Sequence, residues 1–187
     1  MSRNIEQRKK IETDRLVLRP FNLDDAQEVQ RLAGNRAVAD TTLNIPFPYE
    51  DGMAEAWIGT HADNFENSKG VTYAVTLRDS GQLVGAIGIT NKEHDRGEMG
   101  YWISQPYWNQ GYATEAAQAI IAYGFGELSL NKISAAHLVR NPASGRVMEK
   151  AGMNYEGCSP QHVKKWGQSE DMAFYGILAD DFHKEQG

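Results

Sequence analysis

Apolar residues fall along this chain in two rhythms. From Asp14 to Phe21 (DRLVLRPF) apolar and charged residues alternate, which is the period of a strand with one buried face, and Pro20 suits a strand end or an edge. Beyond Asn22 the spacing lengthens to three and four: Ala26, Val29, Leu32 and Ala33 predict a helix that Asn22 caps. Two prolines in NIPFPYEDG enforce extended chain, and Met53 to Phe65 predicts a second helix with Ala54, Trp57 and Ile58 on one side. Alternation returns in Val71 to Leu77 and Leu83 to Ile89 around the turn residues Asp79-Ser80-Gly81, which predicts a hairpin. Glu98 to Ile103 is a third sheet segment, after the polar loop KEHDRG.

The most regular helix follows Gly111, where Ala113, Ala116, Ala117, Ile120, Ile121 and Gly124 make a face of small residues suited to close packing on a sheet. Lys132 to Val139 then predicts a strand, and Pro142 to Ala151 a short helix stopped by Gly152. The remainder, Asp171 to Leu178 included, reads as strands. There is no internal repeat, low-complexity tract or linker. Strands with interspersed helices and early hairpins predict a mixed α/β (α+β) sheet in one domain spanning residues 1–187.

Composition narrows the function. With 187 residues, 41% of them hydrophobic, the chain can bury one core and is short for two. A net charge of −6 argues against nucleic acid as a partner, since phosphate backbones need a clustered basic face, and is compatible with an amine substrate. One cysteine, Cys158, excludes an internal disulfide and reads as a buried small residue; no Cys/His spacing suits zinc, so no metal is expected. The N-terminal MSRNIEQRKKIETD lacks the apolar core of a secretion signal and no run is long enough to span a bilayer. The expectation is a soluble, cytoplasmic protein with no membrane partner.

Chemistry first surfaces in WNQGYATEA, Trp108 to Ala116, where a glycine joins an aromatic strand-like run to a helix. Glycine there lets backbone approach a ligand, and the amides from Gly111 to Thr114 are free at the helix start, so the turn is an anion site suited to pyrophosphate. Gly111 as a mere turn residue is the plainer alternative. Neither a Walker loop nor a GxGxxG dinucleotide fingerprint is present, which removes a nucleotide-dependent oxidoreductase.

Taken in order, EMGYWISQPYWNQGYATEA and LNKISAAHLVRNPASGRVMEKAGMNYEG resemble the GNAT superfamily of acetyl-CoA-dependent N-acetyltransferases. The likeness is to its RimJ/RimL-type branch, with an opening like TDRLVLRPFNLDDA and a close like DMAFYGIL, and it covers about Thr13 to Leu178, which implies a domain core at about 13–178. It implies a GNAT fold: a mixed, mostly antiparallel central sheet flanked by helices, with two central strands splayed to hold acetyl-CoA. The family's anion turn, Q/R-x-x-G-x-G/A, maps onto Trp108 to Ala113; Gly111 and Ala113 match, and Trp108 replaces the usual Gln or Arg. Cofactor contacts are thereby implied for Asn109, Gln110, Gly111, Tyr112, Ala113 and Thr114, for the main chain of Trp102 and Ile103 beside the pantetheine arm, and for Asn141 and Ser144.

Acetyl transfer needs a proton acceptor for the amine and a donor for the leaving thiolate. Glu98 matches the position where many GNAT enzymes hold a carboxylate base, acting directly or through water; an exposed strand-end carboxylate is the alternative. The acid is less conventional, because the usual family tyrosine, seven residues after Asn141, is Met148 here. Ser144 is the substitute that the likeness suggests, with Tyr112 and Tyr155 as weaker candidates, although serine also simply suits a first helical turn. Asn141 itself reads as the cap of its helix. Glu93, His94 and Asp95 are too close in sequence to converge on one ion, and Ser134 with His137 lacks the nucleophile elbow of a hydrolase.

The leading expectation is an acetyl-CoA-dependent N-acetyltransferase working in a ternary complex on a primary amine. The branch implies a protein N-terminal amine of ribosomal-protein type; a small-molecule amine and a non-catalytic acyl-CoA-binding domain of the same fold are the alternatives. Specificity is expected from Thr41 to Phe65 and a loop from Ser159 to Glu170, with Pro46, Phe47, Pro48 and Trp57 as an apolar wall and Asp51, Glu55 and Glu170 attracting a cation. Monomer and homodimer both remain open.

Overall fold

The computed structural model describes residues 8–184, so the first half of the charged N-terminal segment lies outside the described residues. Among these, eight strands form one sheet in the order β1-β2-β3-β4-β5-β6-β8-β7. They are β1 (Ile11–Glu12), β2 (Leu16–Pro20), β3 (Gly70–Leu77), β4 (Leu83–Lys92), β5 (Arg96–Ile103), β6 (Lys132–Leu138), β7 (Asn154–Lys165) and β8 (Gln168–Leu178). Every neighbouring pair is antiparallel except β5 and β6. The helices are α1 (Ala26–Ala33), α2 (Arg36–Thr41), α3 (Met53–Glu66), α4 (Tyr112–Gly126), α5 (Pro142–Lys150) and α6 (Ala179–Lys184). The mixed, helix-flanked sheet is the one expected.

Alternation along the strands sorts the core into two layers. Tyr73, Ile87 and Ile103 point to one face, where Ala116, Ala117, Ile120 and Ile121 of α4 cover them. Their strand neighbours Ala74, Ala86 and Trp102 point to the other face, against Val29 of α1 and Ala54 and Ile58 of α3. Ile120 and Ile121 are fully buried, and each such side chain contributes roughly 2 kcal/mol relative to exposure.

Several local readings change. Asn22 precedes a single 3-10 turn at Leu23–Asp25 before α1 begins, and its amide donates to Asp25 Oδ2 at 2.9 Å. The Ser159 to Glu170 segment is not a loop: it is the far ends of β7 and β8, closed by a two-residue turn at Trp166 and Gly167 with φ of 48° and 84°, the left-handed pair that tight hairpins require. Cys158 lies exposed on β7, an edge strand, rather than buried. Helix α2 escapes the pattern because its six residues give no period; Asn35 starts it by accepting a hydrogen bond from the Ala37 amide at 2.9 Å.

Candidate active site

The centre of the site is a parting of two strands. β5 and β6 pair in parallel only over Arg96–Glu98 and Lys132–Ser134, where Ser134 Oγ also donates to the Gly97 carbonyl at 3.2 Å. From there β5 follows β4 to Ile103 while β6 stays with β8, and a gap opens between them. The Ser104 amide donates to the Val84 carbonyl of β4 at 2.8 Å; antiparallel alternation therefore turns the backbone of Trp102 and Gly100 to β4 as well, and that of Met99, Tyr101 and Ile103 to the gap. Unpaired strand-edge groups of this kind accept an extended chain as an added strand. Trp102 is thus corrected as a main-chain partner, because its polar backbone groups already belong to the ladder. It enters the site by its indole instead.

At the open end the chain turns into α4. Asn109 and Gly111 adopt φ of 61° and 82°, and Gly111 is the residue just before the helix. The first helical hydrogen bond runs from the Glu115 amide to the Gly111 carbonyl at 3.0 Å, so the amides of Tyr112, Ala113 and Thr114 lack an acceptor within the helix and face outward at its positive end. Side chains hold the turn in shape. Trp108 Nε1 donates to the Ile103 carbonyl at 2.6 Å, and Gln110 Nε2 donates to the Pro106 carbonyl at 2.9 Å. A cavity of about 300 Å³ lies over this turn, bounded by Ile103, Gly111, Ala113 and Thr114 on one side and by Asn141, Ser144 and Arg146 of α5 on the other.

Asn141 stands at the cap position of α5 yet makes no cap bond through its side chain. Its amide group donates to the Thr41 carbonyl at 3.2 Å and to Ser144 Oγ at 2.9 Å, which ties the end of α2 to the first turn of α5. Because Ser144 Oγ accepts from Asn141, its own proton is available to another acceptor. Across the gap, the Tyr101 hydroxyl donates to the Ser144 carbonyl at 3.0 Å. Burial pushes the Tyr101 phenol up to about 12, so it stays protonated near neutrality.

On the other face of the sheet a second cavity, of about 650 Å³, lies beneath α1, α3 and the Thr41 to Pro46 segment. Trp57, Tyr49, Met53, Trp102 and Met172 line it, and Glu98 sits at its rim. Both cavities share Thr41, Thr42, Tyr101, Trp102 and Ser144, so they meet at the gap. Glu98 is half exposed, with Oε2 2.9 Å from Lys92 Nζ. The gap is open from both faces of the sheet, with the free helix-start amides at one end of it.

Residues 15–154 match the family model of the acetyltransferase (GNAT) domain. The chain belongs to the GNAT acetyltransferase family. It is 35% identical over 176 residues to YnaD of Bacillus subtilis (strain 168), called an uncharacterized N-acetyltransferase, with 92% of this chain and 99% of that one aligned. A GNAT-family acetyltransferase crystal structure from Bacillus anthracis superposes with a TM-score of 0.81 at 30% identity, covering 92% of this chain and 99% of that one. RimL, titled a ribosomal L7/L12 alpha-N-protein acetyltransferase in complex with coenzyme A, shares the fold at a TM-score of 0.83 and 18% identity, over 92% of this chain and 99% of that one. As a GNAT protein the chain is an acetyl-CoA-dependent acyltransferase, and the open strand edge and free helix-start amides fit that co-substrate. Among the described residues no three His, Cys, Asp or Glu side chains are placed to share a metal ion, and no helix is long and apolar enough to cross a membrane.

The GNAT site also recruits residues that no local pattern marks. Arg15, on the run into β2, places its guanidinium against the anion turn: Nη1 donates to the Gln110 carbonyl at 2.9 Å, Nε donates to Glu115 Oε2 at 2.7 Å, and the group lies 4.7 Å from the Tyr112 ring. Tyr101 is another, and Thr41, at the start of the expected specificity segment, joins the site through its carbonyl. Of the carboxylates expected to attract a cation, Asp51 accepts from Gln30 at 2.8 Å and Glu170 pairs with Arg140 at 2.8 Å; neither of these nor Glu55 lines the second cavity. His137 turns Nδ1 to the Leu138 carbonyl at 2.8 Å, while Nε2 is buried without a partner under Gly145, where a Cβ would come within 2.7 Å of it. Tyr155, exposed on β7, lines neither cavity.

Proposed function

We propose that this GNAT domain acetylates a primary amine at the end of a chain, such as a protein N-terminus, by direct transfer in a ternary complex. The observation that carries the reading is the meeting of two cavities from opposite sheet faces at Tyr101 and Ser144. Acetyl-CoA supplies the acetyl thioester. The amides of Tyr112 to Thr114 bind its pyrophosphate, with Gly111 and Asn109 shaping the turn, and the gap-facing backbone of Tyr101 and Ile103 aligns its extended arm. Trp108 and Gln110 act by bracing that turn.

Transfer forms a C–N bond as the C–S bond breaks, and the ammonium gives up two protons, one of which ends on sulfur. Glu98, at the rim of the acceptor cavity and paired with Lys92, takes the amine proton directly or through water. Ser144 donates its hydroxyl hydrogen towards the departing sulfur and takes up an amine proton in exchange, its oxygen held by the hydrogen bond from Asn141. The acceptor cavity is bordered by the exposed residues Leu43, Asn44 and Pro46, which supports an amine whose chain continues into solvent. Incubation with acetyl-CoA and a panel of peptides and amines, read by acetyl mass gain and thiol release, tests the function. Thiol release with no acetylated amine would overturn it.

A further inference from the structure

Accepting that reading, the acceptor cavity has a composition that selects among amines. Glu98 is the one Asp, Glu, Lys or Arg side chain among the described residues that line it, and apart from Asn44 and His137 the rest of its wall is apolar, aromatic or hydroxylic. A carboxylate beside the amine, as in a free amino acid, would find no Lys or Arg in the wall, since the nearby Lys92 is already paired with Glu98, and would face Glu98 itself. A second ammonium, as in a polyamine, would find no second carboxylate, because Asp51 and Glu170 are engaged elsewhere.

The floor of the cavity is shaped by a cross-strand row. Thr72 of β3 stands opposite Gly88 of β4, and Gly88 stands opposite Gly100 of β5. On β5 the same face carries Glu98 on one side of Gly100 and the Trp102 indole on the other. The two glycines fall where larger side chains would fill the space. They are not equivalent: a Cβ on Gly88 would lie 2.5 Å from the Val71 carbonyl, whereas one on Gly100 meets no atom within 4 Å, and Gly100 has no positive φ that would require glycine. Backbone geometry and packing explain Gly88. They leave Gly100 unexplained, and the open space above it belongs to the acceptor cavity.

We infer that the acceptor is a primary amine carried on an apolar group with no second charge beside it, and that Gly100 sets the depth available to that group. The amine then meets Glu98 while its apolar substituent lies over Gly100 towards Trp102 and Trp57. A free apolar amine and a peptide with an apolar first residue share this chemistry.

Leucinamide, leucine, glycinamide, spermidine and a leucyl-glycyl-glycinamide peptide separate the possibilities, with acetylation kinetics as one readout and quenching of Trp57 and Trp102 fluorescence in the CoA-bound protein as the other. Leucinamide is expected to exceed leucine in kcat/KM by at least about tenfold, the cost of an unpaired carboxylate in an apolar wall, and to exceed spermidine. Preference for the peptide over leucinamide assigns a protein N-terminus, and the reverse assigns a free amine. Gly100→Val should lower kcat/KM for leucinamide about tenfold relative to that for glycinamide, because its added methyls fill the floor, while CoA affinity by calorimetry changes less than about twofold. Leucine or spermidine as the better acceptor, or an unchanged leucinamide-to-glycinamide ratio in Gly100→Val, overturns the inference while leaving the transferase reading intact. CoA binding without acetylation of any amine overturns both.

Discussion

The guanidinium of Arg15 lies 2.7 Å from the carboxylate of Glu115, a residue 100 positions later and in the first turn of α4, the helix whose start is the proposed pyrophosphate site. Thr13 Oγ1 and the Arg15 amide donate to the same carboxylate at 2.6 and 2.8 Å. Burial alone would raise Glu115, yet these donors and the Arg15 charge hold it below the usual carboxylate range. A carboxylate one turn from a pyrophosphate site opposes the ligand unless its charge is balanced, and Arg15 balances it.

Arg15→Ala is therefore expected to weaken CoA binding about tenfold, by exposing the Glu115 charge and by freeing the Gln110 carbonyl of the turn. Adding Glu115→Gln should recover part of the loss. Calorimetric titration decides it: equal affinity in wild type and Arg15→Ala would remove Arg15 from the site.

Ser144→Ala removes the hydroxyl that Asn141 orients and leaves the backbone of α5 in place. Turnover should fall by at least about tenfold, within the span of general acid effects, and CoA affinity should change far less. Wild-type kcat in this variant would leave the thiolate to collect its proton from solvent.

Glu98→Gln keeps shape but abolishes proton uptake at the cavity rim. The acceptor amine is mostly protonated at neutral pH, so the rate should rise with pH, and the deficit of the variant should be largest on the acid side and shrink in alkaline buffer. A full-rate variant with the wild-type profile would reassign the base.

His61 offers a test of the scaffold. It is buried between Phe21 and Trp57, with ring centroids at 5.4 and 4.5 Å, and neither ring nitrogen has a hydrogen-bond partner. Burial, helped by the nearby Arg8 charge, lowers it to about 4. A histidine depressed in the folded state binds its proton more readily when unfolded, so stability should fall as pH drops from the ordinary histidine range towards 4. That contribution amounts to roughly 2–3 kcal/mol at pH 4.5. His61→Leu should lose less stability than wild type between pH 7 and pH 4.5 in urea unfolding. Parallel losses would show that His61 takes no part.

Legibility followed the range of the signal. β2, the β3–β4 hairpin and α4 were readable because alternation, a turn at Asp79-Ser80-Gly81 and a helical period are each written within about fifteen residues. β7 was not delimited, since its pairing register shifts between Tyr155 and Gly157 and again between Ser159 and Val163, which breaks the period of two. Its edge position also explains the exposed Cys158, because an edge strand lacks a neighbour on one side. Asn141 and Ser144 were found together, three residues apart on one helix turn, but the direction of the Asn141 side chain was set by the Thr41 carbonyl of α2.

The sequence by itself determined where backbone must turn, alternate or coil: a glycine ahead of the regular α4 run marks the turn, and the free amides there belong to any helix start. Only the tertiary structure decided what depends on register and on facing elements. Strand pairing turned the Trp102 backbone into the ladder and that of Ile103 into the gap. Chain-distant packing brought Arg15 to Glu115 and left Glu98, paired with Lys92, as the one carboxylate among the described residues lining the second cavity. Local backbone energetics act between neighbours in sequence, whereas charge balance and cavity shape arise between groups that meet only when the sheet and its helices close around one another.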